Sequence, residues 1–287
     1  VDPTIEYELA NEMSVTSFDY LQPIRKMQII EEIFKEVPDT DIANSFWLKT
    51  TSAELWFKKT DTFAISTSIN SIVGYVIGLG DRHPSNLLID RDSGKVVHID
   101  FGDCFEKAML RSLLPEVVPF RLTRMIVRAF GAAGVNGIYR SSFVNMSNLL
   151  RENARVLVMV LSVFVHEPLA VPDDAGTSIA TSETLTEHIN INSSIENLKV
   201  DDIANSTDIG LLFASTNEIE NKSSKEQMDE RVVSSVEMRK RVMQKLTGND
   251  FGDKKKMSVE EQATTLIKMA TDTYNLSKMY SGWCPFW

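Results

Sequence analysis

Apolar residues recur at helical spacing along most of the chain. Between residues 19 and 37 they stand three or four positions apart, which predicts a first helix. A second helix is predicted from a capping segment at 39–41 through Trp47. The spacing in the aromatic-rich segment 47–57 predicts core, because large aromatic side chains are mostly buried. A docking surface for a partner is the alternative for this segment.

The segment 61–77 is apolar on almost every side. A helix with this pattern is buried all round, so the segment is predicted to be a central helix. Gly78 and Gly80 follow it and give the backbone freedom to turn. The loop after them is therefore predicted to sit on the end of a rigid element.

Further helices are predicted over 121–131, with Gly131 as the C-cap, and over 143–165, as one or two helices. From about 169 to 235 polar residues dominate and periodicity is poor, which predicts a disordered insertion. Helical spacing then returns near residue 236.

The end of the chain is predicted to be ordered. Ser258 and Glu261 have the spacing of a capping box, which predicts the start of a helix. The last residues, 280–287, include a tyrosine, a phenylalanine and two tryptophans. Such an aromatic end is predicted to pack on the body of the protein and support the segment after residue 100, with contact to a membrane interface as the alternative.

Between these helices, residues 78–103 have the sequence GLGDRHPSNLLIDRDSGKVVHIDFGD. Asn86 follows Asp81 by five positions, and two apolar runs around a turn of Asp, Ser and Gly then predict a β-hairpin. Asp100 comes directly after the second run, at the start of Asp-Phe-Gly. Phosphoryl transfer from ATP uses two acids and an amide in this order. The segment therefore predicts the catalytic and metal-binding loops of a kinase.

Each polar residue of these loops has a predicted role. Asp81 is predicted to orient the substrate hydroxyl and accept its proton, with an ordinary turn residue as the alternative. Asn86 and Asp100 are predicted to bind Mg²⁺, or Mn²⁺ in its place, together with the phosphates of ATP. His83 is predicted to donate to the γ-phosphate, with a structural histidine as the alternative. Arg82 is predicted to pair with a carboxylate or contact a phosphate of ATP.

Composition narrows the class of protein. The 287 residues are 43% hydrophobic, which suits one or two globular domains, and the net charge of −10 argues against binding nucleic acid. Two cysteines give no disulfide framework, and the start at Val1 shows no secretory pattern. The expected location is the cytoplasm.

A kinase also needs a glycine-rich loop and a strand-borne lysine to hold the phosphates of ATP. The sequence before residue 78 contains neither. The chain is therefore expected to be a fragment, a kinase large lobe whose small lobe is missing, with little ATP turnover by residues 1–287 alone.

Several motifs together carry a family resemblance. The sequence Gly-Asp-Arg-His-Pro-Ser-Asn at 80–86 resembles the catalytic-loop motif of the lipid-kinase-like superfamily. Residues 98–105, 119–125, 245–248 and 282–287 resemble the phosphatidylinositol-3-kinase-related protein kinases, most closely the target of rapamycin (TOR) kinases. The resemblance covers about 1–168 and 236–287. It implies an α+β, mainly helical fold, with a catalytic-loop hairpin in the large lobe and a helical FATC tail.

The same resemblance implies a division of the chain. Its parts are the kinase large lobe (1–168), a phosphorylatable regulatory insertion (169–235), the last kinase helix (236–254) and the FATC domain (255–287). Within the large lobe it implies three functional segments, namely a propeller-binding element (about 6–58), the catalytic loop (78–86) and the metal loop with the activation segment (100–120). Because the first of these includes the aromatic segment 47–57, the resemblance favours docking over core for that segment.

The resemblance further implies a serine/threonine protein kinase in growth and nutrient signalling, with Asp81, His83, Asn86 and Asp100 in the roles given above. It implies protein substrates, a WD40 β-propeller subunit and large scaffold subunits as partners. It also implies two further locations. These are endomembranes, with which the tail would associate peripherally, and the nucleus. The rapamycin-binding domain would precede Val1, so this chain is not expected to bind rapamycin.

Two other functions compete with this one. A lipid kinase would share the framework from Asp81 to Gly102 but needs a basic activation segment to hold inositol phosphates. Residues 101–120 contain two basic and three acidic residues. This segment therefore has no basic cluster, which favours a protein kinase. A non-catalytic scaffold that folds with a propeller partner is the third hypothesis.

Overall fold

The computed structural model describes residues 18–111, 114–166, 236–252 and 256–287. The predicted insertion at 169–235 lies outside these residues, as does the part of the propeller-binding element that precedes residue 18. The contacts divide the chain into two units, 1–152 with 245–287, and 153–244, and each is described by itself. In the described part, no helix is both long and apolar enough to cross a bilayer.

The first two predicted helices are confirmed. Helix α1 spans Pro23–Glu36 and helix α2 spans Asp41–Leu48, preceded by a 3-10 turn at Phe18–Tyr20. Thr40 is the N-cap residue of α2, but its hydroxyl accepts a hydrogen bond from the Asn44 side chain at 3.0 Å and caps no backbone amide.

The central helix is longer than the sequence predicted. Helix α3 spans Ala53–Ile77, because the Ser52 hydroxyl caps it by accepting a hydrogen bond from the Leu55 amide. From residue 63 onward Phe63, Ala64, Ile72, Tyr75 and Val76 are buried, but Ile65 and Ile69 are 38% and 37% exposed. The prediction of a helix buried all round is therefore wrong for that face.

The predicted hairpin is present. Strand β1 (Leu87–Ile89) pairs antiparallel with strand β2 (Val96–His98), and Leu87 lies opposite His98. A 3-10 turn at Pro84–Asn86 leads into β1. Helix α3 holds the hairpin, since the Val96 amide donates to the Ser66 hydroxyl at 2.9 Å.

The remaining helices follow the predicted pattern with shifted ends. They are α4 (Arg124–Ala129), α5 (Ile138–Glu152), α6 (Ala154–His166), α7 (236–247), α8 (Val259–Thr271) and α9 (Thr273–Ser277). Short 3-10 turns lie at Gly134–Asn136 and Ser281–Trp283. The capping box of Ser258 and Glu261 is confirmed. Helix α4 starts three residues later than predicted, and Phe130 rather than Gly131 is its C-cap residue.

The aromatic end of the chain packs into the first unit, as predicted. Phe286 is fully buried against Phe18 and three isoleucines of α1, namely Ile29, Ile30 and Ile33. Trp283 is 1% exposed and packs with Val118, Leu276 and Met279. The tail therefore packs against α1 and against the segment that precedes α4.

The core prediction that spacing gives for the aromatic segment 47–57 is wrong for two of its three large aromatic side chains. Trp47 and Phe57 are each 60% exposed, and Leu48 is 81% exposed. The reason is helical periodicity, because Phe46 takes the buried face of α2 and packs its ring 5.2 Å from that of Phe63. Trp47, one residue on, projects from a different face.

Candidate active site

The predicted catalytic loop, 78–86, holds Asp81 in an uncommon backbone conformation. Asp81 has φ of 56°, in the left-handed region that non-glycine residues seldom adopt. Its amide donates to Glu116 Oε1 at 2.8 Å, and its carbonyl accepts a hydrogen bond from Asn86 Nδ2 at 2.8 Å. Both backbone groups of Asp81 are thus hydrogen-bonded to side chains, which fixes the backbone position from which its side chain extends.

Asn86 and Asp100 lie at neighbouring positions where the two strands of the hairpin meet the loops. The Ile99 amide donates to the Asn86 carbonyl at 3.1 Å, so Asp100 is one residue beyond the position facing Asn86. The sequence prediction that the hairpin brings these residues together is consistent with this register.

The donor atoms of this pair suit a hard divalent cation. Asn86 uses its Nδ2 for the Asp81 carbonyl, so its Oδ1 is the atom left for a metal. Asp100 is exposed and accepts from the Gly102 amide at 3.1 Å through Oδ1, which leaves Oδ2. No cluster of three His, Cys, Asp or Glu that could hold a metal occurs in the described residues. Two protein oxygens with phosphates and water completing the shell fit Mg²⁺.

Arg82 has a different environment from the one predicted. Its side chain is 3% exposed and donates to the Gly80 carbonyl at 2.8 Å, the Ile99 carbonyl at 2.7 Å and the Asp100 carbonyl. These bonds tie the catalytic loop to the metal loop. Phosphate contact by Arg82 is not supported by this geometry, since its donors are directed at backbone carbonyls.

The two histidines near the site differ in surroundings. His83 is partly exposed and is the N-cap residue of the 3-10 turn at Pro84–Asn86. His98 lies in β2, where burial and the nearby Arg82 charge lower its pKa to about 4. His98 is therefore neutral at physiological pH.

The predicted activation segment, 100–120, is joined to the predicted catalytic loop, 78–86, by backbone hydrogen bonds. The Gly80 amide donates to the Asp103 carbonyl at 2.9 Å, and the Glu106 amide donates to the Gly78 carbonyl at 2.8 Å. A Cβ on Gly80 would lie 2.3 Å from the Cβ of Ala108, so only glycine allows this approach.

Glu116 is a site residue to which the sequence analysis gave no role. It is 6% exposed, and burial is the main reason that its pKa rises to about 7. The sequence contains a signal of a buried acid here, because Glu116 is the one acidic residue in the apolar run from Leu113 to Phe120. Its contact with the Asp81 amide could not be deduced without the fold.

The pKa of Glu116 predicts a pH-dependent effect on stability. A raised pKa means that Glu116 stabilises the folded state below about pH 4.5 and that this contribution is lost as the pH rises through about 7. Asp81 and Asp103 oppose its ionisation and Arg111 favours it. Glu116→Gln keeps an acceptor for Asp81 and cannot ionise. The free energy of unfolding of the Glu116→Gln variant, relative to that of the native protein, should therefore rise by about 2 kcal/mol between about pH 5 and about pH 8.

Thermal melts of both proteins across this pH range measure the difference. Glu54→Gln is the control, because Glu54 is an exposed residue near the start of α3. A difference between the Glu116→Gln variant and the native protein that stays constant with pH would contradict the prediction.

The C-terminal tail also contributes to the site, which the sequence did not reveal in detail. The Tyr280 hydroxyl donates to Asp81 Oδ1 at 3.2 Å. Arg121, which is fully buried, donates to the carbonyls of Trp283, Cys284 and Trp287 at 2.6, 2.9 and 2.9 Å. Met279 also contacts the Val117 amide, and Trp283 packs with Val118, so the predicted packing of the tail on the segment 100–120 is confirmed.

Two stretches of the chain match known families. Residues 1–171 match the family described as Phosphatidylinositol 3- and 4-kinase, and residues 256–287 match the FATC domain. These matches confirm the resemblance found in the sequence.

The chain is also similar to curated kinases. It is 37% identical over 279 residues to "Serine/threonine-protein kinase mTor" of Drosophila melanogaster and 38% identical over 276 residues to "Serine/threonine-protein kinase tor1" of Schizosaccharomyces pombe. Each alignment covers 94% of this chain and 11% of the relative, so the chain spans about a tenth of the length of these relatives.

A solved structure shares the fold. The structure titled "FAT and kinase domain of CtTel1" matches with a TM-score of 0.65 and 22% sequence identity, covering 100% of this chain and 16% of that chain. At this identity the likeness concerns the fold alone, and it confirms the predicted mainly helical fold.

Proposed function

Because the chain belongs to the phosphatidylinositol 3- and 4-kinase family and carries a FATC domain, we propose that it supplies the catalytic and metal loops of a TOR-type serine/threonine protein kinase. The reaction is transfer of the γ-phosphoryl group of ATP to a protein hydroxyl. The observation that carries the proposal is the hairpin register, which places Asn86 and Asp100 at adjoining strand ends while Asn86 also holds Asp81.

Each residue then has one task. Asp81 orients the substrate hydroxyl and accepts its proton as the bond to phosphorus forms. Asn86 Oδ1 and the Asp100 carboxylate would hold Mg²⁺, or Mn²⁺ in its place, and the metal when bound neutralises phosphate charge. His83 donates to the γ-phosphate, and Arg82 keeps the two loops in register.

The activation segment favours a protein substrate over an inositol lipid. Arg111 pairs with Asp103, and the Glu106 carboxylate lies 2.7 Å from Lys245 Nζ. Among the described bases between 101 and 120, only Lys107 is left without an acidic partner, and it donates to the Gly102 carbonyl at 3.3 Å. A multiply phosphorylated headgroup would need more positive charge than this.

The test is a direct comparison of substrates. The complete protein that carries this chain is incubated with labelled ATP, Mg²⁺ and either a serine/threonine peptide mixture or phosphatidylinositol vesicles. Label on peptide is the expected result. Label on lipid alone would overturn the protein-kinase assignment and favour the lipid kinase.

The exposed aromatic patch, defined as Trp47, Leu48 and Phe57, supports a partner-binding role. These three side chains are at least 60% exposed. They lie within the element that resembles the propeller-binding region, so we propose a WD40 β-propeller subunit as the occupant. Large scaffold subunits complete the proposed complex.

Removing this patch should release the partner without harming the fold. The variant carrying Trp47→Ser and Phe57→Ser is expected to lose at least about tenfold of its co-purified propeller subunit, because exposed aromatics dominate such interfaces. Its melting temperature should stay unchanged, since surface substitutions seldom exceed about 0.5 kcal/mol. Tyr274→Ser, at a tyrosine that is 41% exposed, is the control. Full retention of the subunit would contradict the patch assignment.

The proposed location is the cytoplasm, with endomembranes and the nucleus as alternatives. Cys104 and Cys284 are not disulfide-bonded, which suits a reducing compartment. The buried aromatic tail favours packing over membrane insertion in this conformation. Fractionation of cells that express a tagged complete protein tests the location.

A further inference from the structure

The carboxylate of Asp81 has one side-chain hydrogen-bond donor among the described residues. The Tyr280 hydroxyl donates to Asp81 Oδ1 at 3.2 Å, although the two residues are 199 positions apart. Asp81 Oδ2 accepts no hydrogen bond from the part of the chain that the structure describes. The contact therefore distinguishes the two carboxylate oxygens.

The backbone of Asp81 is already fixed by other groups. Glu116 holds its amide and Asn86 holds its carbonyl, each at 2.8 Å. The remaining freedom of Asp81 is rotation of its side chain. A donor on one carboxylate oxygen limits that rotation, and Tyr280 is placed to do so.

Tyr280 is itself held firmly on both sides. Met279 before it is fully buried, and the Val117 amide donates to its sulfur at 3.4 Å. Ser281 after it donates to the Asp19 carboxylate through its amide and its hydroxyl, both at 2.7 Å. The position of the tyrosine thus depends on two separate parts of the chain, one at Val117 and one at Asp19.

Gly282 lets the ring lie close to the tail backbone. A Cβ on Gly282 would lie 2.8 Å from Cε2 of Tyr280, which is closer than real side chains come. An alanine there must push the ring, and the hydroxyl at its end moves with it.

The hydroxyl is also a dependable donor. Burial is the main reason that the pKa of Tyr280 is raised, and the Asp81 charge raises it further. Tyr280 therefore keeps its proton across the physiological range and can donate to a carboxylate throughout.

We propose that Tyr280 is a positioning residue for Asp81, fixing Oδ1 so that Oδ2 is presented to the hydroxyl of the protein substrate. The proposal rests on the kinase function proposed above and adds a tail residue to its machinery. Tyr280 does not touch the reacting atoms. It acts through Asp81, as a group that keeps a catalytic side chain in its productive orientation.

The experiment compares Tyr280→Phe with Tyr274→Phe in the complete protein, using a serine/threonine peptide substrate. Tyr274 lies in the same tail and its ring packs against Lys278, a contact that Phe preserves. Tyr280→Phe should lower kcat about tenfold, since one hydrogen bond that orients a catalytic group is lost, and should leave the KM for ATP within about twofold. Tyr274→Phe should match the native protein. Gly282→Ala should lower kcat in the same direction while keeping the tyrosine.

A double-variant cycle with Asp81→Asn separates positioning from a general structural effect. If Tyr280 acts through Asp81, adding Tyr280→Phe to Asp81→Asn should change the residual rate by less than about twofold. If Tyr280→Phe lowers kcat by the same factor in the native protein and in the Asp81→Asn variant, the proposal is overturned. It is also overturned if Tyr280→Phe has native kcat while Asp81→Asn is impaired. Native activity of Asp81→Asn would overturn the proposed function and this inference with it.

Discussion

Asp81→Asn is expected to lower kcat for peptide phosphorylation about 1,000-fold in the complete protein. Asparagine has the same shape and can still accept the Tyr280 hydrogen bond, but it cannot take the proton of the substrate hydroxyl. General base catalysis contributes about 100- to 10,000-fold in enzymes, so a loss in this range is the predicted size. ATP affinity should change little, because Asp81 is assigned to the hydroxyl and not to the nucleotide.

The matched control for this variant is Asp92→Asn. Asp92 lies in the exposed turn of the same hairpin, away from the strand ends that carry Asn86 and Asp100. It should keep native kcat. Steady-state kinetics and nucleotide titration of both variants provide the test. A rate for Asp81→Asn within about tenfold of the native value would mean that another group accepts the proton.

Arg121→Ala is expected to have the largest effect on stability. The Arg121 guanidinium donates to three carbonyls of the tail and lies 4.5 Å from the ring centre of Trp283. Burial lowers its pKa to about 10, so it remains charged at physiological pH. Truncation leaves buried carbonyls without donors and opens a cavity, which together should cost about 4 kcal/mol.

Hydrogen exchange of the tail amides measures this loss in the complete protein. A cost of about 4 kcal/mol corresponds to exchange about 1,000-fold faster for residues 273–287 if the tail opens as a unit. Arg128→Ala is the control, since Arg128 is largely exposed and its pairing with Asp39 spans 3.8 Å. Unchanged protection of the tail in Arg121→Ala would show that aromatic packing alone holds it in place.

The local geometry of the candidate site could be predicted from the sequence. Asp81, Asn86 and Asp100 lie within twenty residues of one another, and the turn between the two strands has the residues that a hairpin requires. The register then follows from short-range pairing. The same holds for the capping box at Ser258, which depends on four consecutive residues.

Contacts between distant parts of the chain could not be predicted in the same way. Tyr280 and Asp81 are 199 residues apart, and no periodicity links them. Glu116 was visible as a lone acid among apolar residues, but its partner was not. For the exposed patch, the aromatic content of 47–57 indicated burial, and the actual helix faces placed Trp47 and Phe57 in solvent. Tertiary packing decided each of these cases.

A structure of the complete protein with Mg²⁺ and a non-hydrolysable ATP analogue would show whether Asn86 and Asp100 hold the metal. We expect a metal ion within about 2.1 Å of Asn86 Oδ1 and of an Asp100 carboxylate oxygen, with phosphate oxygens completing its shell. Asp81 should face the γ-phosphate without binding the metal. If other side chains hold the nucleotide metal, with Asn86 and Asp100 both more than about 5 Å away, the kinase site proposed for this hairpin is wrong.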